Sequence, residues 1–192
     1  MRAKSWIIVI TIAATGAIAW LDYSHRNPFL RPAGNTQTIS EPAPEFTFTQ
    51  VDRESSHSLS SFQGKTVLIN FWASWCEPCL YEYPTLVKLA SEHPDDLVLI
   101  MLSSDKSAEQ AYEFSRGFCM QRGMIDPDDE RLFPELPNIY VAWDNGKHIT
   151  RNLFGTTRYP ESILIAPDGM IRQKIIGVLT EANVQEIKRM LP

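Results

Sequence analysis

The most constraining feature of the chain is an apolar run at residues 67–71 that leads directly into two cysteines, Cys76 and Cys79. Such a run predicts a buried strand, and the apolar spacing after Cys79 predicts a helix packed on a sheet. The Cys-x-x-Cys pair therefore lies where a strand gives way to a helix N-terminus. Free backbone N–H groups and the helix dipole favour an anion there, so the first thiol can be a thiolate near neutral pH. The pattern predicts a dithiol that forms and breaks disulfides.

The remaining apolar pattern predicts a mixed α/β fold. The strands expected at 67–72 and 97–102 flank the helix as a βαβ unit, so they should run parallel with a right-handed crossover. The turn residues Pro167-Asp168-Gly169 predict an antiparallel hairpin. The expected elements are strands at 46–48, 67–72, 97–102, 139–143, 162–165 and 171–176, helices over 78–93 and 107–120, and a last helix capped by Thr180. This order predicts a mixed sheet with helices on both sides.

The N-terminus carries an uncharged apolar run over residues 6–21, preceded by Arg2 and Lys4. The run is slightly short of the ~20 residues that span a bilayer comfortably. Positive charge before it favours an orientation that exports everything after it. We predict a transmembrane anchor or a signal peptide over residues 1–23. The flanking aromatic residues favour an uncleaved anchor, Ala17-Ile18-Ala19 resembles a cleavage site, and a buried core helix is the remaining alternative.

The composition of the chain indicates where the folded domain begins and which class of partner is not expected. Residues 24–45 are rich in proline and are expected to be a tether, which leaves 46–192 as the folded domain. The chain has 192 residues, a formal net charge of -5 and no block of basic residues, so nucleic acid is not an expected partner.

The cysteine count favours a redox role over a scaffold of disulfides, because three cysteines cannot staple a small domain. The lone Cys119 lies between apolar neighbours and fits a small buried hydrophobe better than a third redox centre. A structural zinc site needs four ligands, and neither a second Cys-x-x-Cys nor a closely spaced histidine pair occurs. Attachment of c-type haem needs a histidine where the chain has Leu80. We therefore expect no cofactor or metal beside a redox-active Cys76–Cys79 disulfide.

Three stretches carry a resemblance to a known family. They are the Trp-Cys-x-Pro-Cys-x-x-Glu-x-Pro pattern at residues 75–84, Tyr159-Pro160-Glu161-Ser162, and the hairpin turn at 167–169. On these the chain resembles the thioredoxin superfamily, and within it the membrane-anchored TlpA/ResA/CcmG-type thiol-disulfide oxidoreductases. The resemblance covers nearly all of residues 46–192. It implies a thioredoxin-like three-layer α/β/α fold with a mixed central sheet.

The resemblance also implies a role for each residue of the motif. Cys76 is the attacking thiolate and Cys79, one turn into the helix, is the resolving thiol. Pro78 stiffens the ring between them, and Trp75 shields the pair and offers an apolar contact to a substrate. Outside the motif, the Tyr159-Pro160 pair is expected to hold a cis-proline beside the dithiol, where a substrate peptide can pair with its backbone.

Three polar residues in or near the motif are expected to affect proton transfer and the charge of the thiols. Glu82 follows Cys79 by three residues, so it lies on the same helix face, and relatives use this carboxylate to tune the cysteines; the alternative is a simple helix-dipole role. Asn70 stands where thioredoxin has an aspartate proton acceptor, and an amide cannot titrate, which makes Glu82 the expected substitute. Glu77 either opposes thiolate formation, which would make a better reductant, or is screened by solvent.

These roles together imply an extracytoplasmic disulfide reductase that acts on exported proteins. The family implies cytochrome c maturation, with apocytochrome c as client and a membrane thiol-electron donor. A reductant for copper-centre assembly proteins, a dithiol oxidase and a non-catalytic redox-sensing or binding module remain open. The expected location is the cell membrane, single-pass, with the domain facing the periplasm or extracytoplasmic space, or the periplasm itself after signal cleavage.

Overall fold

The computed structural model describes residues 35–53 and 55–192. The predicted anchor or signal segment at 1–23 and the first part of the tether lie outside the described residues. Within the described ranges, no helix is both long and apolar enough to cross a membrane.

The described chain folds around a central sheet of six strands. These are β1 (Asn35–Pro42), β4 (Thr66–Trp72), β5 (Leu97–Ser103), β6 (Ile139–Trp143), β7 (Glu161–Ile165) and β8 (Met170–Ile176), in the order β1-β8-β7-β4-β5-β6. Two short strands, β2 (Thr47–Thr49) and β3 (Ser56–Ser58), pair separately and antiparallel. β4 runs parallel to β5, and β5 runs parallel to β6, whereas β7 is antiparallel to both β4 and β8. The sheet is therefore mixed, as predicted.

Three α-helices connect or follow the strands of the sheet. They are α1 (Glu77–Glu92), α2 (Ala108–Gln121) and α3 (Glu181–Arg189). Thr180 caps α3, because its hydroxyl accepts from the backbone N–H of Asn183 while the Asn183 side chain accepts from the backbone of Thr180. Short helical turns lie at Leu59–Phe62, Asn145–Lys147 and His148–Leu153.

The three α-helices pack on one face of the sheet and only short helical segments, Leu59–Phe62 and His148–Leu153, lie on the other, so the prediction of helices on both sides is met only by these short segments. Leu68 and Trp72 point from β4 into a core shared with these helices, whereas Val67, Ile69 and Phe71 point to the other face. The strands β4, β5 and β6 follow one another across the sheet in chain order, so both crossovers move in the same direction across it. Two right-handed crossovers in the same direction place α1 and α2 on the same face of the sheet. The second face is covered instead by the β2–β3 pair and the short helical turns.

Part of the predicted tether is a strand of the sheet. β1 pairs antiparallel with β8, from Asn35 opposite Ile176 to Pro42 opposite Met170. The folded unit therefore begins earlier than residue 46, and the prediction of a tether over 24–45 is wrong for residues 35–42. Most β1 side chains with a described environment are exposed, so this edge strand lacks the apolar alternation that would reveal it.

Candidate active site

The dithiol lies where β4 leads into α1. Cys76 is the N-cap of α1, and Pro78 occupies the first turn, where a missing N–H breaks no helical hydrogen bond. The Cys76 carbonyl accepts from the backbone N–H of Cys79 at 2.9 Å and of Leu80 at 3.2 Å. The two sulfurs are bonded at 2.02 Å, with the Cα atoms 5.3 Å apart. The structure therefore shows the oxidised form of the predicted pair.

The two cysteines differ in depth. Cys76 is 5% exposed and Cys79 1% exposed, so only Cys76 has an edge towards solvent. Trp75, directly before them, is 61% exposed. Its ring contacts Tyr159 edge-on at 5.8 Å between ring centroids. Trp75 thus offers a large apolar surface beside the disulfide.

The loop before β7 lies against this surface. The Tyr159–Pro160 peptide bond is cis, and Pro160 is buried while Tyr159 is half-buried. The Tyr159 hydroxyl donates to Ser104 Oγ at 2.7 Å, and the Pro160 carbonyl accepts from the Gly177 N–H at 2.9 Å. The ring contact with Trp75 brings this distant segment to the dithiol.

Glu82 and Asn70 form a hydrogen bond in the core. Glu82 is fully buried, and its Oε1 accepts from Asn70 Nδ2 at 2.7 Å, while its Oε2 accepts from the Leu179 N–H at 2.8 Å. Asn70 Nδ2 also donates to Ser162 Oγ at 3.0 Å. Burial raises the pKa of Glu82 to about 7, although these two hydrogen bonds to the carboxylate lower it. The carboxyl can therefore change its charge near neutral pH.

Glu77 and Cys119 have simpler environments. Glu77 is exposed and accepts from the Tyr81 hydroxyl at 3.1 Å, so solvent screens its charge. Cys119 is buried in the core shared with the helices, where burial raises the pKa of its thiol to about 11. A thiol of that pKa stays protonated at neutral pH, which favours a small buried hydrophobe over a redox centre at Cys119. Among the described residues, no group of three or more His, Cys, Asp or Glu side chains could hold a metal ion.

Asp105 is a site residue that sequence reasoning missed. It follows β5 and is buried, and its carboxylate accepts from the Ser74 N–H at 3.1 Å, from Ser74 Oγ at 2.9 Å and from Ser103 Oγ at 2.7 Å. The Trp143 indole donates to the Asp105 carbonyl at 2.9 Å. These bonds fix the loop that precedes Cys76. The sequence did contain a signal for Asp105, which is an acidic residue just after the predicted strand at 97–102. The carboxyl ends of parallel strands meet at one edge of a sheet, so this residue could have been expected near Cys76.

Lys147 is the second residue that was missed. Its Nζ lies 6.0 Å from the ring centroid of Trp75 and 5.7 Å from that of Tyr159. No sequence pattern indicated this position, because it follows from the packing of the helical turns after β6 against the dithiol loop.

Comparisons with known proteins point to proteins that exchange thiols and disulfides. The Redoxin family model matches residues 38–191. The thiol-disulfide oxidoreductase ResA of Oceanobacillus iheyensis is 30% identical, over 92% of this chain and 81% of that protein. The thiol:disulfide interchange protein DsbE of Pseudomonas fluorescens biotype C is 28% identical, over 93% of this chain and 88% of that protein. The pneumococcal exposed lipoprotein thioredoxin from Streptococcus pneumoniae has a similar structure, with a TM-score of 0.55 and 25% identity, and covers 76% of this chain and 99% of its own.

Proposed function

The chain belongs to the Redoxin family, with the TlpA/ResA/CcmG-like thiol-disulfide oxidoreductases, and we propose that it reduces disulfides of exported proteins outside the cytoplasm. The observation that carries this proposal is the Cys76–Cys79 disulfide at the start of α1, on the same helix face as a buried Glu82 that titrates near neutral pH. The apolar run at 6–21 supports export, as does the similarity to an exposed lipoprotein thioredoxin.

The reaction needs a source of electrons before it can act on a client. A membrane dithiol donor reduces the Cys76–Cys79 bond with two electrons, and two protons complete the two thiols. The Cys76 thiolate then attacks a client disulfide, which forms a mixed disulfide and releases one client thiolate. The Cys79 thiolate attacks Cys76 Sγ, which restores the internal disulfide and releases the second client thiolate. The edge of Cys76 towards solvent and the depth of Cys79 support this order of attack.

Glu82 serves as the proton acceptor for the buried thiol in this proposal. Cys79 must lose its proton before it can resolve the mixed disulfide, and Glu82 lies one helical turn further on the same face. Asn70 can support both charge states, because an amide presents either N–H donors or a carbonyl acceptor. Its Oδ1 is buried without a hydrogen-bond partner in the described part of the chain, so rotation of the amide would give a protonated Glu82 an acceptor.

The client class is the most specific part of the proposal. Exported proteins that need free thiols before cofactor attachment, apocytochrome c above all, are the clients that this kind of reductase serves. A strongly reducing pair is required for that task, and the reduction potential therefore tests the function.

We expect the Cys76–Cys79 couple of the full chain to have a reduction potential of about −250 mV or lower. Equilibration with thioredoxin and glutathione redox buffers, followed by quantification of free thiols, measures it. A value near −120 mV, typical of strong oxidants, would instead identify a dithiol oxidase and refute the proposed reductase.

The Glu82→Gln substitution should shift the thiol titration of the reduced protein. Ionised Glu82 opposes thiolate formation on the same helix face, so its removal should lower the apparent pKa of the thiols by about 1 unit. Burial holds the native carboxyl protonated up to about pH 7, whereas an unfolded glutamate ionises near 4.5. Stability should thus fall by about 3 kcal/mol as pH rises through that window in the wild type, and Glu82→Gln should lack this fall.

Alkylation rates across pH and urea unfolding at pH 5 and pH 8 are the two measurements. Glu92→Gln is the matched control, because Glu92 lies at the exposed far end of α1, where contacts with Lys188 lower its pKa. An alkylation curve for Glu82→Gln that overlays the wild-type curve would show that Glu82 does not tune the thiols and has only a structural role.

A further inference from the structure

The rim of the dithiol site carries an ammonium group without a carboxylate partner. Lys147 is half-buried, and its Nζ lies over the rings of Trp75 and Tyr159 at 6.0 and 5.7 Å from their centroids. Throughout residues 35–53 and 55–192, no Asp or Glu forms an ion pair with Lys147. The rings attract the charge but do not neutralise it. An anion that reaches these rings would therefore find an available cation.

The local fold holds Lys147 in this position. Its backbone is left-handed, with φ of 60°, which is uncommon for a residue with a side chain. The buried carboxylate of Asp144 accepts from the N–H groups of Ile149 and Thr150 at 3.1 and 2.6 Å and from the Thr150 hydroxyl at 2.6 Å. The Lys147 N–H donates to the Asp144 carbonyl at 3.0 Å. Asp144 thus fixes the turn while its own charge is satisfied by donors other than the Lys147 ammonium.

The two sequence neighbours of Cys76 differ in their charge. Lys147 contacts the residue before it, Trp75, whereas the residue after it, Glu77, is acidic and exposed. A second exposed cation, Arg158, directly precedes Tyr159 in the chain. The chain as a whole has a net charge of -5, so this positive rim is a local exception. A client segment that passes over Trp75 would therefore approach the Lys147 ammonium.

We propose that Lys147 determines specificity by selecting client segments with an acidic side chain beside the cysteine that Cys76 attacks. This inference rests on the proposed reductase function. A client carboxylate over Trp75 and Tyr159 would pair with Lys147 in a partly desolvated setting, whereas a lysine there would be repelled. Lys147 takes no part in bond changes: Cys76 Sγ bonds to one client sulfur, and the other leaves as a thiolate. Its effect is on docking.

The test uses the pre-reduced full chain and two peptide disulfides that differ only in flanking residues, aspartates in one and lysines in the other. We expect the wild type to reduce the acidic peptide about tenfold faster at low salt, and the preference to shrink at high salt. Lys147→Gln should lower the acidic-peptide rate about fivefold, and Lys147→Glu should reverse the preference. Lys147→Arg should keep it.

Lys65→Gln is the control for loss of one positive charge, because Lys65 is exposed just before the start of β4, at the end of the strand remote from Cys76. It should leave the preference unchanged. Equal wild-type rates on the two peptides, or an equal loss on both in Lys147→Glu, would overturn the role of Lys147 but would leave the proposed reductase function in place. Failure of the reduced wild type to reduce either peptide would overturn the proposed function, and the role of Lys147 with it.

Discussion

Cys76→Ser should abolish disulfide reduction, because a serine hydroxyl cannot form the mixed disulfide on which the reaction depends. Cys79→Ser should have a different result: Cys76 still attacks, but the mixed disulfide is not resolved and accumulates. The loss of turnover should exceed about 10³-fold in both variants, since each lacks one half of a group that acts as a unit. Turnover of a model disulfide and non-reducing electrophoresis of trapped complexes measure the two results.

Cys119→Ala is the matched control for these two substitutions. Its thiol is buried and has a raised pKa, so turnover should stay within about twofold of the wild type. Trapping through Cys119, or residual turnover in Cys76→Ser, would contradict the assigned roles. The identities of the proteins trapped by Cys79→Ser also test the client class: absence of apocytochromes would refute the cytochrome c maturation role and leave reductase activity in place.

Trp72→Ala should have the largest effect on stability, with a loss of about 3–5 kcal/mol of unfolding free energy. Trp72 ends β4 and is fully buried, and its ring lies 5.3 Å from the ring centroids of both Tyr83 on α1 and Phe114 on α2. Truncation leaves a cavity where the sheet and two helices meet, because these large side chains cannot collapse into the space. Urea unfolding of the oxidised chain, at an unchanged denaturant slope, gives the measurement.

Two further substitutions separate the packing contribution of Trp72 from the effect of its indole N–H and from the general effect of losing a tryptophan. The Trp72 indole nitrogen is buried without a hydrogen-bond partner in the part of the chain that the structure describes. Trp72→Phe keeps most of the apolar contact and removes this unpaired donor, so it should cost about 1 kcal/mol or less. Trp75→Ala removes an equally large but 61% exposed side chain and should also change stability little. A similar loss in Trp72→Ala and Trp75→Ala would contradict the packing argument.

Several elements were predictable because their patterns are local. The strand expected at 67–72 is Thr66–Trp72, and the helix expected over 78–93 is Glu77–Glu92. Strand and helix periodicities depend on neighbouring residues, and the burial of β4 on both faces gives a continuous apolar run. β1 escaped prediction because an exposed edge strand is specified by its partner β8, which lies far along the chain.

The dithiol and its place at a strand-to-helix junction could be predicted from the sequence. Two cysteines three positions apart at a strand-to-helix junction have a fixed local geometry, so Cys76 and Cys79 could be assigned without the fold. The environment that sets the charge and the exposure of the two cysteines depends on the tertiary structure. Burial raises the pKa of Glu82 against the opposing effect of its hydrogen bonds from Asn70 and Leu179, and Lys147 reaches the site through Trp75 and Tyr159. These contacts join residues far apart in the chain, and both desolvation and charge pairing depend on what packs against a group rather than on its sequence neighbours.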